Sequence, residues 1–374
     1  MKICLIGPAY PLRGGIAHYN GQLATEFASR HEVTLISFSR QYPGLLFPGQ
    51  TQFDPSSKTP GLTAEPLLDS LNPLSWLRAG RRIADLSPDL TVVHWWNPFF
   101  GPCIGTTLRM AKRHRRVALA FICHNVLPHE PFPGTRGLTR YALAPGDAWL
   151  VHSEADRRDL ESLRLGGRIV MTPQPPGRGF GTPLDKEEAK NRLGLSGNIL
   201  LFFGLIRRYK GLPQFLEAMP LVLQKLKCSL LVVGEFYEGK DHCLHLINTL
   251  GLASAVRIID RFVPDDEVGL YFSAADLVVL PYESATQSAI VPIAYAFERP
   301  VVATRVGGLP EAVRDGETGL LVDPHNPVAL AEAIIRFYRD RLEEPFRQRI
   351  RQLAHSFTWE DLVDTIETVS SEFR

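Results

Sequence analysis

Short apolar runs recur along the chain, each followed by a longer stretch whose apolar positions fall three or four residues apart. The first run covers residues 2–6; Gly7, Pro8, Pro11, Gly14 and Gly15 follow, and then a helical pattern over 16–30. Strands are predicted at 33–38, 90–93, 117–123, 147–152 and 170–172 by their β-branched and aromatic content. Asn72-Pro73 predicts a helix start, and over 74–86 Trp76, Ala79, Ile83 and Leu86 oppose Arg78, Arg81, Arg82 and Asp85. Residues 41–68, rich in Pro, Gly, Ser and Thr and without a period, read as a long surface loop. The proline-rich stretch 173–183 reads as a linker. Beyond it, strands at 199–203, 229–233, 256–259, 277–281 and 300–304 alternate with helices at 213–225, 240–250, 265–274 and 288–297. Helices at 327–339 and 356–373 close the chain, with a further helical stretch between them. β-α-β units in series predict parallel sheets covered on both faces.

A chain of 374 residues exceeds one ordinary hydrophobic core, so two domains are expected, at 1–175 and 184–350, and 45% hydrophobic residues suffice for both. Lys and Arg number 41 against 40 Asp and Glu; the formal charge of +1 offers no global field for nucleic acid. Cys4, Cys103, Cys123, Cys228 and Cys243 form no CxxC pair and read as reduced core residues of a cytoplasmic protein. The N-terminal apolar run is too short for a signal peptide, and no run approaches the ~20 residues of a spanning helix, so neither secretion nor membrane insertion is expected.

Candidate chemistry concentrates in the second half. Gly204-Leu205-Ile206-Arg207-Arg208-Tyr209-Lys210-Gly211 sets three cations and two glycines between a strand and a helix, a pattern that suits an anion. Residues 281–324 read PYESATQSAIVPIAYAFERPVVATRVGGLPEAVRDGETGLLVDP, alternating loop, helix, strand and a glycine turn at Val306-Gly307-Gly308. Such a turn either offers N–H groups to a phosphate or merely reverses the chain. Asp265-Asp266-Glu267 reads as a helix start with acids in its first turn rather than a metal site.

The order of these features resembles the donor half of the retaining family 4 glycosyltransferases. The resemblance implies an α/β chain of the GT-B fold, two Rossmann-like β/α/β domains facing each other across a cleft, with the last helix (about 356–374) packed back on the first domain. It implies transfer of a sugar from a nucleotide-diphosphate sugar to a hydroxyl, with no cofactor and no metal. In similar enzymes an Arg and Lys pair holds the diphosphate. Lys210 matches in place, and Arg207 or Arg208 must stand in for the Arg because Leu205 occupies its usual slot. The loop of Arg261 and Phe262 corresponds to the nucleobase seat, and Ser153-Glu154 also matches the family although capping explains both. Gly14 and Gly15 correspond to a loop near diphosphate and acceptor, or simply start a helix.

His124, at the end of strand 117–123, corresponds to a His beside the donor sugar, although a lone His is more often structural. His94, Trp95 and Trp96, read as lying just past strand 90–93 with Phe99 and Phe100, form either a stacking platform for a sugar or lipid-linked acceptor or a packed corner. The basic faces at 74–86 and at Arg109, Lys112, Arg113, Arg115 and Arg116 are either solvated or a peripheral contact with an anionic membrane, as in similar enzymes acting on lipid-linked acceptors.

The chain departs from the family at its paired Glu residues. Counting back from Pro300, those positions hold Ile293 and Ala285; starting from Glu283 puts Val291 at the partner position. Glu298 replaces a usual Gly, and Glu311 matches. Thr286, Gln287, Ser288 and Glu283 are the substitute candidates for donor hydrogen bonds. A retaining transferase of polysaccharide or glycolipid assembly is the leading expectation. A nucleotide-sugar-binding protein without turnover, or another GT-B enzyme such as an epimerase, stands beside it.

Overall fold

The computed structural model describes residues 1–44, 47, 49, 51–55, 61–115, 117–128, 132–354 and 356–373. The chain divides into two compact units, Met1–Gln174 with Thr358–Arg374, and Pro175–Phe357.

The first unit runs β1 (Lys2–Ile6), α1 (Gly15–Ala28), β2 (Glu32–Arg40), β3 (Glu65–Asp69), α2 (Pro73–Leu86), β4 (Leu90–Trp95), α3 (Gly101–His114), β5 (Leu119–Cys123), α4 (Thr135–Leu143), β6 (Ala148–Val151), α5 (Glu154–Ser162) and β7 (Arg168–Met171). Its parallel strands lie in the order β3-β2-β1-β4-β5-β6-β7. Asn72 caps α2 by accepting from the Leu74 N–H, as its sequence predicts. β3 corrects the reading of 41–68 as structureless. Its EPLLD has little β-branched content, and the strand is held by pairing to β2 and by Arg82 on Glu65 at 2.7 Å. Part of that stretch, 45–46, 48, 50 and 56–60, lies outside the described residues.

The second unit runs α6 (Lys186–Leu193), β8 (Asn198–Phe203), α7 (Leu212–Leu223), β9 (Cys228–Val233), α8 (Lys240–Thr249), β10 (Val256–Ile259), α9 (Asp265–Ala274), β11 (Leu277–Leu280), α10 (Ile290–Ala296), β12 (Val301–Thr304), α11 (Leu309–Ala312), β13 (Gly319–Val322), α12 (Pro327–Arg339) and α13 (Glu343–Ala354). The parallel order is β10-β9-β8-β11-β12-β13. Alternate residues of β8 face opposite cores: Ile199, Leu201 and Phe203 pack into one, Leu200 and Phe202 into the other. A strand buried on both faces reads as an unbroken apolar run, which is why these strands were legible in sequence. Residues 175–183, expected as a linker, are built into this unit: the Gly177 N–H donates to the Pro292 carbonyl, and Phe180 packs against the core. The last helix, α14 (Trp359–Ser371), belongs to the first unit, packs on α1 and β5, and opens with a Thr358–Asp361 capping box.

Strand order reverses between β1 and β4 in one unit and between β8 and β11 in the other. At such a point the connections that follow the two adjacent strands leave the sheet in opposite directions and open a crevice at the strands' carboxyl ends.

Candidate functional site

In the second unit, β8 ends in Gly204 at φ 106°, and a Cβ there would stand 3.0 Å from Lys210 Nζ. Glycine thus lets the ammonium rest against the strand's end. The turn Arg208–Lys210 closes on Gly211 at φ 68°, where a Cβ would sit 1.9 Å from the Pro281 carbonyl oxygen after β11. The basic loop is thereby fitted against the end of β11, tied also by the Glu283 N–H on the Tyr209 carbonyl at 2.7 Å.

Lys210 is half-buried, its Nζ 5.6 Å from the centre of the Tyr282 ring, and among the described residues no carboxylate pairs with it. Burial, and then the nearby Arg207 guanidinium, push its ammonium down to about 8. Arg207 and Arg208 are exposed, and the Arg207 guanidinium lies 5.3 Å from the Tyr237 ring centre.

The other donor-side candidates are placed differently from expectation. α10 begins at Ile290 rather than 288, because Ser288 turns its hydroxyl onto Tyr282 OH (3.3 Å) and receives the Ile290 N–H (3.3 Å). Thr286 is buried and Gln287 half-buried; the Thr286 carbonyl takes the Gly308 N–H. A Cβ on Gly307 would meet the Ala285 carbonyl at 1.4 Å. The glycine turn after β12 therefore serves close packing of loop 281–289, and the Gly308 N–H is already used. Glu283 accepts from Gln214, which also touches His325. Arg261 pairs with Glu267 and donates to Tyr271 OH, so its charge is met within the chain, beside a half-buried Phe262.

The Glu pair is absent in space as in sequence. Ala285 and Ile293 are 7% and 6% exposed and belong to the apolar core. The replacement at Glu298 has a visible consequence: its φ of 57° explains why a glycine suits the position, and its carboxylate binds Arg347 and Arg351 of α13.

In the first unit, Gly14 (φ 112°) precedes α1, and Gly15 opens it; nothing stands within 4 Å of a Cβ on Gly14. The first helical bond is that of the His18 N–H, leaving the preceding N–H groups unused by the helix. His94 and Trp95 are not past β4 but inside it, because the parallel pairing with β5 continues through both residues. Both are fully buried, Trp96 is 7% exposed, and Trp95 and Trp96 pack with Phe100 in the core. Both tryptophans belong to a packed corner and offer no stacking platform.

His94 Nδ1 and His124 Nε2 lie 2.9 Å apart with the ring planes nearly parallel, 5.2 Å between centres and 9° between planes. Sequence reasoning missed their partners. The Tyr19 hydroxyl is 3.3 Å from His152 Nε2, and its ring meets His124 and Trp359 edge-on. The register of the sheet brings them together: Cys123 pairs with Val151, so His124 and His152 each follow their strand at the same level. Burial lowers the pKa of all three histidines, His94 to about 3 with a further push from His152. Behind them the buried Asp156 accepts from the Val126 N–H (3.0 Å) and from Ser153 (2.7 Å), fixing the backbone just after His124.

Of the basic faces, Arg78 and Arg81 on α2 are exposed beside Leu71 and Leu74. The second cluster is largely engaged: Lys112 with Asp147 (2.9 Å), Arg109 over the Tyr141 ring (3.9 Å) and Arg115 on Ser87; Arg116 lies outside the described residues. The five thiols are free, and burial raises their pKa values. Among the described residues no group of three or more His, Cys, Asp or Glu could hold a metal ion, and no helix is long and apolar enough to cross a membrane.

Two Rossmann-like units of parallel strands are the architecture of the GT-B class, and comparisons with known proteins agree. Residues 13–175 match the family model described as Glycosyltransferase Family 4, and residues 197–340 match that described as Glycosyl transferases group 1. The chain belongs to this glycosyltransferase family. It is 33% identical over 231 residues to the D-inositol 3-phosphate glycosyltransferase of Corynebacterium diphtheriae, covering 58% of this chain and 52% of that protein. The chain thus spans about half the length of the curated relatives it matches. In structure it is similar to a sucrose-phosphate synthase of Thermosynechococcus elongatus (TM-score 0.79, 20% identity, 99% and 98% coverage). It is also similar to HepE of Anabaena solved with UDP (TM-score 0.75, 19% identity, 99% and 100% coverage).

Proposed function

We propose that this chain is a retaining glycosyltransferase that moves a sugar from a nucleoside diphosphate to a hydroxyl acceptor. The observation that carries the reading is Lys210, a half-buried cation held at a switch point with no carboxylate on it among the described residues. Burying a cation without a counter-ion is costly, and a bound diphosphate would remove that cost. As the sugar leaves, negative charge grows on the diphosphate; Lys210, with Arg207 or Arg208 on the same loop, would meet it without a metal ion. In the first unit, His124 is the candidate beside the donor sugar, and the unused N–H groups at the start of α1 are candidates near the diphosphate and the acceptor.

The acceptor we propose is a sugar or lipid-linked hydroxyl in polysaccharide or glycolipid assembly at an anionic membrane. Exposed Leu71 and Leu74 beside Arg78 and Arg81 on α2 support this, since apolar and cationic groups together suit an anionic bilayer surface. Co-sedimentation with anionic but not neutral vesicles, weakened in an Arg78→Ala/Arg81→Ala variant, is expected; equal binding to both vesicle types would remove it.

The buried Ala285 and Ile293 favour a second reading, a nucleotide-sugar-binding protein without turnover. A thermal-shift screen against UDP, GDP, ADP and their sugars, with Lys210→Ala alongside, tests the donor site. Product analysis with and without acceptor then separates transfer from mere binding. A shift with one nucleotide that Lys210→Ala abolishes supports the donor site, and no shift with any nucleotide overturns both readings.

A further inference from the structure

His94 sits inside β4 with no exposure, an unusual place for an imidazole, and only one of its nitrogens is engaged. Nδ1 faces His124 Nε2 at 2.9 Å, whereas Nε2 is buried without a partner. Two neutral imidazoles in contact share one proton, so one nitrogen of the pair donates and the other accepts. If His124 were the donor, His94 would carry its own proton on Nε2, an N–H buried without an acceptor. If His94 Nδ1 donates, its Nε2 is a bare lone pair. Orphaned buried N–H groups are the rarer defect, so the second arrangement is the one the fold sustains.

The consequence falls on His124. Its Nε2 lone pair is occupied by the His94 proton, so its own proton must be on Nδ1. His124 is half-buried at the carboxyl end of β5, and among the described residues nothing accepts from its Nδ1. We infer that His94 is a positioning residue that fixes the tautomer of His124, so that His124 presents an N–H donor to a ligand oxygen and cannot act as a base through Nε2. The catalytic part of this inference rests on the glycosyltransferase reading, while the tautomer itself does not. The neighbouring Tyr19–His152–Thr172 chain has the same logic. The His152 Nδ1–H donates to the Thr172 carbonyl at 3.0 Å, leaving its Nε2 to accept from Tyr19.

The test is long-range proton–nitrogen correlation on the full chain labelled at histidine nitrogen, with His124 assigned by its loss in His124→Gln. His94→Asn places an amide N–H where Nδ1 stood, and His94→Leu removes the donor. The expected result is an Nδ1-protonated His124 in the wild type and in His94→Asn, reverting in His94→Leu to the Nε2-protonated form favoured in water. In transfer kinetics, His94→Leu is expected to lower kcat by roughly tenfold or more with donor KM changed less than about threefold, and His94→Asn to restore most of it. An Nε2-protonated His124 in the wild type, or a wild-type spectrum in His94→Leu, overturns the inference. A tautomer change with unaltered kcat overturns its catalytic part. Should His94→Leu not fold, the wild-type and His94→Asn spectra decide. Should the chain transfer no sugar at all, the spectra still read the tautomer and only the proposed function falls.

Discussion

Lys210 and Glu298 show how single residues carry more than their sequence pattern reveals. With its ammonium pushed down to about 8, Lys210 is partly neutral near that pH in the free protein. A diphosphate favours the charged form, so binding UDP near pH 8 is expected to take up a proton, and affinity to fall as pH rises above 8. Calorimetry in buffers of different ionisation enthalpy reads the uptake; binding without it, or unchanged uptake in Lys210→Ala, would contradict the assignment. Glu298 holds a left-handed backbone while its carboxylate binds two arginines of α13. Glu298→Ala and Glu298→Gly lose the same pairs, but only Gly relieves the backbone. Gly is therefore expected to be more stable than Ala by roughly 1–2 kcal/mol in urea unfolding. The motif around Lys210 was legible because glycines and cations crowd a strand end. The cost at Glu298 was not, because φ is decided by how α10 meets β12.

At the scale of elements, most strands and helices were readable because strands buried on both faces are continuous apolar runs and helices carry caps. β3, β13, α4, α6 and α11 were not read; EPLLD and KEEAKNRL, for example, are too polar to declare a buried face. Ile293 lies in the core, and a Cβ on Gly177 would stand 3.1 Å from its Cα, so the neighbourhood is apolar and close-packed. Ile293→Glu is thus expected to destabilise the chain by about 3 kcal/mol or more rather than to restore a ligand carboxylate. Denaturation followed by circular dichroism measures it; wild-type stability with tighter nucleotide binding would refute it.

At the scale of the molecule, the two units differ in what they bury. Trp76, Trp95, Trp96, Trp149 and Trp359 are all in the first unit, so tryptophan fluorescence reports that unit, while circular dichroism reports both. His94, His124 and His152 also lie there, with pKa values held below the ordinary 6.5 by burial. Between the unfolded value near 6.5 and the lowered folded values, the unfolded chain binds more protons. Stability is therefore full above pH 6.5 and is lost as pH falls below it, for His94 down to about 3. The fluorescence transition in urea is expected to shift downward from pH 6.5 to 4.5 more than the nucleotide-sensitive transition of the second unit. Equal shifts would show that the histidines are not responsible.

Sequence alone determined the succession of parallel β-α-β units, the cation loop at residues 204–211 and the loss of the Glu pair, because apolar runs, glycines and charges act locally along the chain. Only the tertiary structure decided that Trp95 and Trp96 are core, that Gly307 serves packing, and that His94, His124, His152 and Tyr19 form one cluster. Each depends on contacts between segments distant in sequence. A shift of one residue in the pairing of β4 with β5 would turn His94 and Trp95 each to the opposite face of the sheet.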